Sequence, residues 1–221
     1  MNRNRKRTRQ TPAVVHPYVI RLTHWVNAVA LPILVLSGLE IFHAFPSFGS
    51  KIPEHNLIDF PSAIRLGGWL GGALRWHFTF MWIFAFNAAV YAAGLLLSGA
   101  FRRFYISKSE LKDIWPVLRS YMAFNFRKDE SHNYNPLQKL AYLAALALGL
   151  ACLVSGILLF KPVQSGLTGW TGAFQFVRGV HFCSMLGLVL FAAGHLFMVL
   201  LHGWRKFLPM LIATRRVPGM D

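Results

Sequence analysis

Acidic side chains are scarce in this chain and cysteines nearly absent. Of 221 residues, eight are Asp or Glu and two are Cys. Glu40 is the only acid near an apolar segment, so a proton or cation relay lacks the carboxylates it would need. Cys152 and Cys183 both fall inside apolar segments, which excludes a disulfide framework and a CxxC metal site and leaves them as packing residues. Charge of either sign is thin at 14% of residues, where a water-soluble domain carries about 25%. The deficit is local. Uncharged runs extend from Leu22 to Leu39, Trp76 to Phe101, Leu140 to Phe160 and Gly179 to Trp204. A helix crosses the hydrocarbon core with roughly 20 apolar residues, and each run is long enough. The expectation is an all-α integral membrane four-helix bundle, one domain over 1–221, with spans at about 22–42, 77–101, 137–160 and 178–203.

What is present in excess is positive charge, a net +15. Eighteen of the 23 Lys and Arg lie in the N-terminal tail up to Arg21, between Arg102 and Lys139, or from Arg205 onward. The remaining connections hold only Lys51, Arg65, Arg75, Lys161 and Arg178. The positive-inside rule assigns the rich segments to the cytoplasm, which predicts both termini inside, with a basic cytoplasmic tail over 1–15. An even number of crossings agrees. Arg3-Asn4-Arg5-Lys6-Arg7 resembles a nucleic-acid arm, but basic residues before a first span are topology signals, and no nucleic-acid partner is expected. The first apolar run is too long for a cleaved signal peptide, and no small-residue cleavage site follows it.

The connections differ in character. The first, about 42–75, is rich in Pro and Gly, holds His43 and His55, and ends in Gly67-Gly68-Trp69-Leu70-Gly71-Gly72. No Lys-Ser/Thr follows to make a phosphate cradle, so these glycines are read as turn chemistry. The inner connection, 102–136, contains Ser107-Lys108-Ser109-Glu110, a capping box. Trp115, Leu118, Tyr121, Met122 and Phe124 follow, as in a short interfacial cytoplasmic helix between spans two and three. Val35-Leu36-Ser37-Gly38 in span one echoes Leu153-Val154-Ser155-Gly156 in span three. Small residues at matched depth permit either close helix packing or room for a flat cofactor.

Histidine carries the functional signal. Of nine, His24, His77, His181 and His195 lie in the spans or their first turns. An intramembrane ionisable residue is a functional candidate, although a single one also serves as a hydrogen-bonded packing residue. Their arrangement adds information. His181 and His195 are fourteen residues apart, so they share a face at depths roughly 21 Å apart. His77 falls at the level of His181 and His24 at that of His195, giving an outer and an inner pair. Facing neutral imidazoles suit axial ligation of a macrocycle's iron, whereas zinc calls for four ligands around one point. Haem carries two carboxylates, and Arg21, Arg75 and Arg178 precede histidines by two or three positions, where they either meet propionates or snorkel to the interface.

Arg21-Leu22-Thr23-His24-Trp25, Leu36-Ser37-Gly38, the His77 entry to span two and the His181/His195 spacing resemble the prokaryotic cytochrome b561 family. The resemblance extends from His16 to about Arg216. That family includes di-haem cytochrome b subunits of membrane formate dehydrogenases, nickel–iron hydrogenases and thiosulfate-reductase-like enzymes. It implies two b-type haems held by His77/His181 and His24/His195, in a bacterial inner membrane protein. It also implies a quinone site where formate-dehydrogenase-like members carry Tyr-Asn-x-Gly-Gln-Lys. Here the segment reads Tyr134-Asn135-Pro136-Leu137-Gln138-Lys139, with Leu137 in place of glycine. Asn135, Gln138 and Lys139 are therefore quinone candidates, while Asn135 with Pro136 also reads as a plain helix start. His202, seven residues past His195, either lines that pocket or competes as a ligand.

The function expected is electron exchange between membrane quinone and a periplasmic redox subunit, by resemblance a molybdopterin oxidoreductase. The alternatives are a stand-alone haem enzyme acting on a small species such as superoxide, and a haem-free anchor. Four axial ligands predict a low-spin bis-histidine b-type spectrum on reduction, with two haems per chain. Optical spectra with haem quantitation check this, and one haem or a high-spin spectrum would refute the four-ligand set.

Overall fold

A computed structural model describes residues 17–48, 58–123, 135–167 and 172–202. The basic tail 1–15 and Tyr134 lie outside them, as does the side chain of His202. Five α-helices appear among the described residues. Four are long: α1 (Tyr18–Ala44), α2 (Leu70–Leu97), α4 (Pro136–Phe160) and α5 (Ala173–His202). Each is long and apolar enough to cross a membrane. The short helix α3 (Lys108–Met122) joins α2 to α4. This is the all-α membrane bundle expected from the uncharged runs.

The helix limits depart from the charge-free limits for local reasons. Helix α2 begins at Leu70 rather than 77, because Arg75 sits at an exposed position that leaves its charge at the surface. Gly67 and Gly68 take positive φ, 122° and 72°, and form the turn into α2. Gly71 and Gly72 belong to the helix itself, so only half of this glycine run is turn chemistry. Helix α2 stops at Leu97 rather than 101, since Gly99 adopts the left-handed conformation that ends helices. Pro32 lies within α1, a position tolerated in membrane helices where neighbours satisfy the freed backbone.

Helix α3 has the expected capping box: the Glu110 amide donates to Ser107 Oγ at 3.3 Å, and the Ser107 amide to Glu110 Oε2 at 2.8 Å. Leu111, Trp115 and Met122 are exposed on it, as on a helix lying along an interface. Its polar side is tied to the start of α4. Lys139 Nζ donates to Glu110 Oε1 at 2.6 Å and to the Tyr105 carbonyl at 3.1 Å, while Asn135 Nδ2 donates to the Tyr121 hydroxyl at 2.7 Å. Asn135 and Gln138 form a second capping box, with Pro136 at the first helical position.

The long helices form two antiparallel hairpins, α1–α2 and α4–α5, which pack closely within themselves and meet each other mainly through side chains. The bundle end holding the start of α1 is termed proximal and the opposite end distal. Polarity is reversed relative to a soluble protein. Leu97, Phe86 and Leu200 are exposed, whereas Thr23, Ala30, Ser37 and Ala73 are the most buried residues. Small interior residues let membrane helices approach. Asn87, buried in α2, ties the hairpin together by donating to the Thr23 carbonyl at 2.9 Å and Asn27 Oδ1 at 2.7 Å.

The Ser-Gly echo extends further than span one and span three. His77-Phe78 and Met81 of α2 recur as His181-Phe182 and Met185 of α5, and Ala88-Ala89 recurs as Ala192-Ala193. The two hairpins are thus repeats of each other.

At the α3–α4 corner the Lys139 ammonium, with the Ser107 backbone amide, holds the Glu110 carboxyl down to about 2 from its ordinary 4.5. A lowered acid stabilises the fold at pH above 4.5, and that contribution disappears as pH falls towards 2. Lys139→Gln should raise the Glu110 pKa part of the way back, the Ser107 bonds remaining. Infrared carboxylate titration, differenced against Glu110→Gln, should show the rise; an unmoved titration would refute the pairing.

Candidate haem-binding site

The distal pair is His77, in the second turn of α2, and His181, early in α5. Their ring centroids are 6.2 Å apart with an interplanar angle of 69°. Each imidazole is seated on the first helix of its own hairpin. His77 Nδ1 lies 3.1 Å from Ser37 Oγ, and His181 Nδ1 lies 2.9 Å from Ser155 Oγ. Both serines bond back to their own helices, Ser37 to the Ile33 carbonyl at 2.6 Å and Ser155 to the Ala151 carbonyl. The glycine after each serine leaves the space the ring occupies. A Cβ at Gly38 would stand 3.4 Å from His77 Cε1, and one at Gly156 3.2 Å from His181 Cε1. The repeated Ser-Gly is therefore a seat for a histidine, each part serving a different atom of the ring.

Between the distal histidines lies a cavity of about 510 Å³. Its walls are almost wholly apolar, including Leu34, Val35, Phe78 and Leu153, with His77, His181 and Arg178 among its few polar groups. Cofactor pockets commonly have this size and lining.

The proximal pair is His24, early in α1, and His195, late in α5. Their centroids are also 6.2 Å apart, at 62°. Aromatic rings surround them. Phe191 stacks on His195 at 5.8 Å, Tyr142 meets it edge-on at 6.3 Å, and Trp25 meets His24 at 5.3 Å. This pair breaks the repeat: the equivalents of His24 and His195 in the opposite hairpins are Tyr142 and Tyr91.

The spacing tests the cofactor. A metal–nitrogen bond of roughly 2 Å on each side, plus about 1 Å from nitrogen to ring centre, separates two trans imidazole centroids by roughly 6 Å. Both pairs meet that value, and the distal pair also has the cavity. The residues present fit a bis-histidine haem.

Comparison with known proteins gives the family. Residues 15–212 match the family described as prokaryotic cytochrome b561. The chain belongs to that family. This cytochrome is 39% identical over 188 residues to a protein of Azospira oryzae named "Putative protein-methionine-sulfoxide reductase subunit YedZ1", a match covering 85% of this chain and 90% of the relative. It is 27% identical over 203 residues to a "Probable Ni/Fe-hydrogenase B-type cytochrome subunit" of Rhodobacter capsulatus, covering 86% and 74% of the two chains. A protein of the same description from Azotobacter vinelandii is 24% identical over 227 residues, covering 90% of each chain. No solved structure matches the chain. Membership makes the protein a multi-pass inner membrane subunit of the b-type haem class.

Of the three arginines singled out in the sequence, Arg178 reaches the distal cavity of the cytochrome. Its guanidinium donates to the Ser47 carbonyl at 2.8 Å and to the Phe45 carbonyl, and lies over the rings of Phe42 and Phe48. Arg21 is half-buried beside the proximal pair in sequence. Arg75 is exposed and is not a cavity residue, because positions i and i+2 of a helix face apart. Asn135 and Lys139 are engaged in the α3–α4 corner, as described above. Gln138 accepts from the Asn135 amide at 3.1 Å, and its NH₂ has no hydrogen bond among the described residues.

Sequence reasoning missed the two serine contacts and Asn87. The Ser-Gly echo held the signal for the former; for Asn87, an amide alone in an apolar run was the available sign.

Adding a methyl group at these glycines should have graded effects. Gly156→Ala brings carbon within 3.2 Å of His181 and should lower haem content, while Gly38→Ala at 3.4 Å should be tolerated better. Haem content of the purified variants checks the order, and equal retention in both would contradict the seating.

Proposed function

We propose that this cytochrome is the di-haem subunit of a membrane oxidoreductase, carrying electrons between quinone at the cytoplasmic side and a redox partner at the periplasmic side. The observation that carries the reading is the pair of matched 6.2 Å imidazole spacings, using two histidines of one helix. His181 and His195, on one face of α5, set the two levels roughly 21 Å apart by helix rise. The distribution of Lys and Arg supports placing the proximal end and both termini in the cytoplasm. The distal end then faces the periplasm.

Bound, the haems supply one-electron transfer at the two depths. The protein's own residues position and insulate. His77 and His181 would hold the distal group, His24 and His195 the proximal one. Arg178, at the mouth of the distal cavity, would meet a propionate, and Arg21 would do so at the proximal end. The aromatic rings of Trp25, Tyr142 and Phe191 exclude water around the proximal pair.

The quinone contact falls to the α3–α4 corner, at the level of the proximal pair. There Asn135 and Lys139 hold the wall through their bonds to Tyr121 and Glu110. Gln138 is the group with a donor left for a quinone carbonyl. His202, seven residues and about two helical turns beyond His195 in sequence, is the remaining candidate lining residue.

On this reading substrate chemistry belongs to a partner subunit. Relatives named as subunits of a hydrogenase and of a protein-methionine-sulfoxide reductase support an assembly of that kind. A molybdopterin protein is the partner we favour.

The two levels are separable by experiment. His195→Ala should lose the proximal haem and leave a distal haem that quinol no longer reduces. His181→Ala should lose the distal haem and keep quinol reduction of the other. Anaerobic quinol titration with optical detection reads both. Quinol reduction of the haem left in His195→Ala would move the quinone site, and retention of both haems in either variant would remove that histidine from the ligand set.

A further inference from the structure

The two serine seats determine more than position. A hydroxyl has one hydrogen to give. In Ser37 that hydrogen is taken by the Ile33 carbonyl at 2.6 Å, with the Leu34 carbonyl at 3.2 Å as the second acceptor. In Ser155 the Ala151 carbonyl takes it, with Cys152 O at 3.3 Å. Each Oγ therefore faces its histidine as an acceptor, and the histidine must be the donor. Both distal rings are thereby held with hydrogen on Nδ1 and a lone pair on Nε2, the state an axial ligand must have.

We propose that Ser37 and Ser155 are positioning residues that fix the Nδ1–H tautomer of His77 and His181 and, by accepting its hydrogen bond, lower the reduction potential of the distal haem. The inference rests on the reading that these two histidines share one iron. A hydrogen bond accepted from Nδ1–H raises electron density on the ring and makes Nε2 a stronger donor to the oxidised metal. Two such bonds act on one iron from two helices. The proximal pair sits instead among aromatic rings. The two serine seats thus bias the distal level towards the oxidised state.

The test uses the purified full-length protein and the variants S37A, S155A, S37A/S155A, S37T and S155T. Haem is quantified, and a spectroelectrochemical titration resolves the two midpoint potentials. S37A and S155A should each move the same component upward, the double variant should move it further, and the other component should stay. Threonine, whose hydroxyl makes the same bond back to its own helix, should restore the wild-type value. Two components that both stay put, different components moving in the two single variants, or threonine behaving like alanine would overturn the proposal. If an alanine variant instead loses haem, retention by the threonine variant supports the role of the hydroxyl and loss in both refutes it. Failure of the underlying reading is distinguishable, because His181→Ala would then leave the serine-sensitive component in place.

Discussion

Two helical hairpins in this protein meet across two pairs of imidazoles. Their backbones meet at few points, and the interior is lined by imidazoles at spacings of 6.2 Å in both pairs. That spacing is too wide for a hydrogen bond between rings and suits a metal held by both. Everything else in the bundle is arranged around the constraint. Small residues bring α1 against α2 and α4 against α5, so that the volume not used within the hairpins remains between them. Large side chains point outward to lipid, where a soluble protein would bury them.

A second constraint follows from the solvent. Polar groups in hydrocarbon seek partners inside the protein, and here several find them across elements. Asn87 uses the Thr23 carbonyl and Asn27. Glu40 is buried and pairs with Arg65 at 3.3 Å. Interhelical bonds of this kind contribute about 0.6 kcal/mol on average in membranes, so their importance is directional more than energetic. Asn87 fixes α2 against the turn of α1 that carries His24. The serines fix each distal ring against the neighbouring helix. The same interactions that satisfy polar atoms therefore aim the ligands.

The repeat explains why the two levels differ. Repeating a hairpin with a Ser-Gly on its first helix and a histidine at the start of its second yields a symmetric distal pair. Symmetry would pair the proximal positions differently, and the chain departs from it: the repeat equivalents of His24 and His195 are Tyr142 and Tyr91. One level is seated on hydroxyls and the other among aromatic rings.

Much of this was legible from residue order alone. Four uncharged runs determined four membrane helices, since each is about the 20 residues a helix needs to cross, where a barrel strand needs only about ten. The fourteen-residue spacing of His181 and His195 determined two depths, because helix rise and angle are fixed by backbone geometry. The capping boxes at Ser107 and Asn135 were equally readable, being contacts between residues three apart. Helix ends were less so, because an arginine at an interface need not end a helix, as Arg75 does not. The tertiary structure alone decided that Ser37 grips His77 and Ser155 grips His181, and that Arg75 faces away. It also decided that Lys139 is bound to Glu110. Each is a contact across helices, whose rotation about their own axes depends on packing against partners and not on the local sequence.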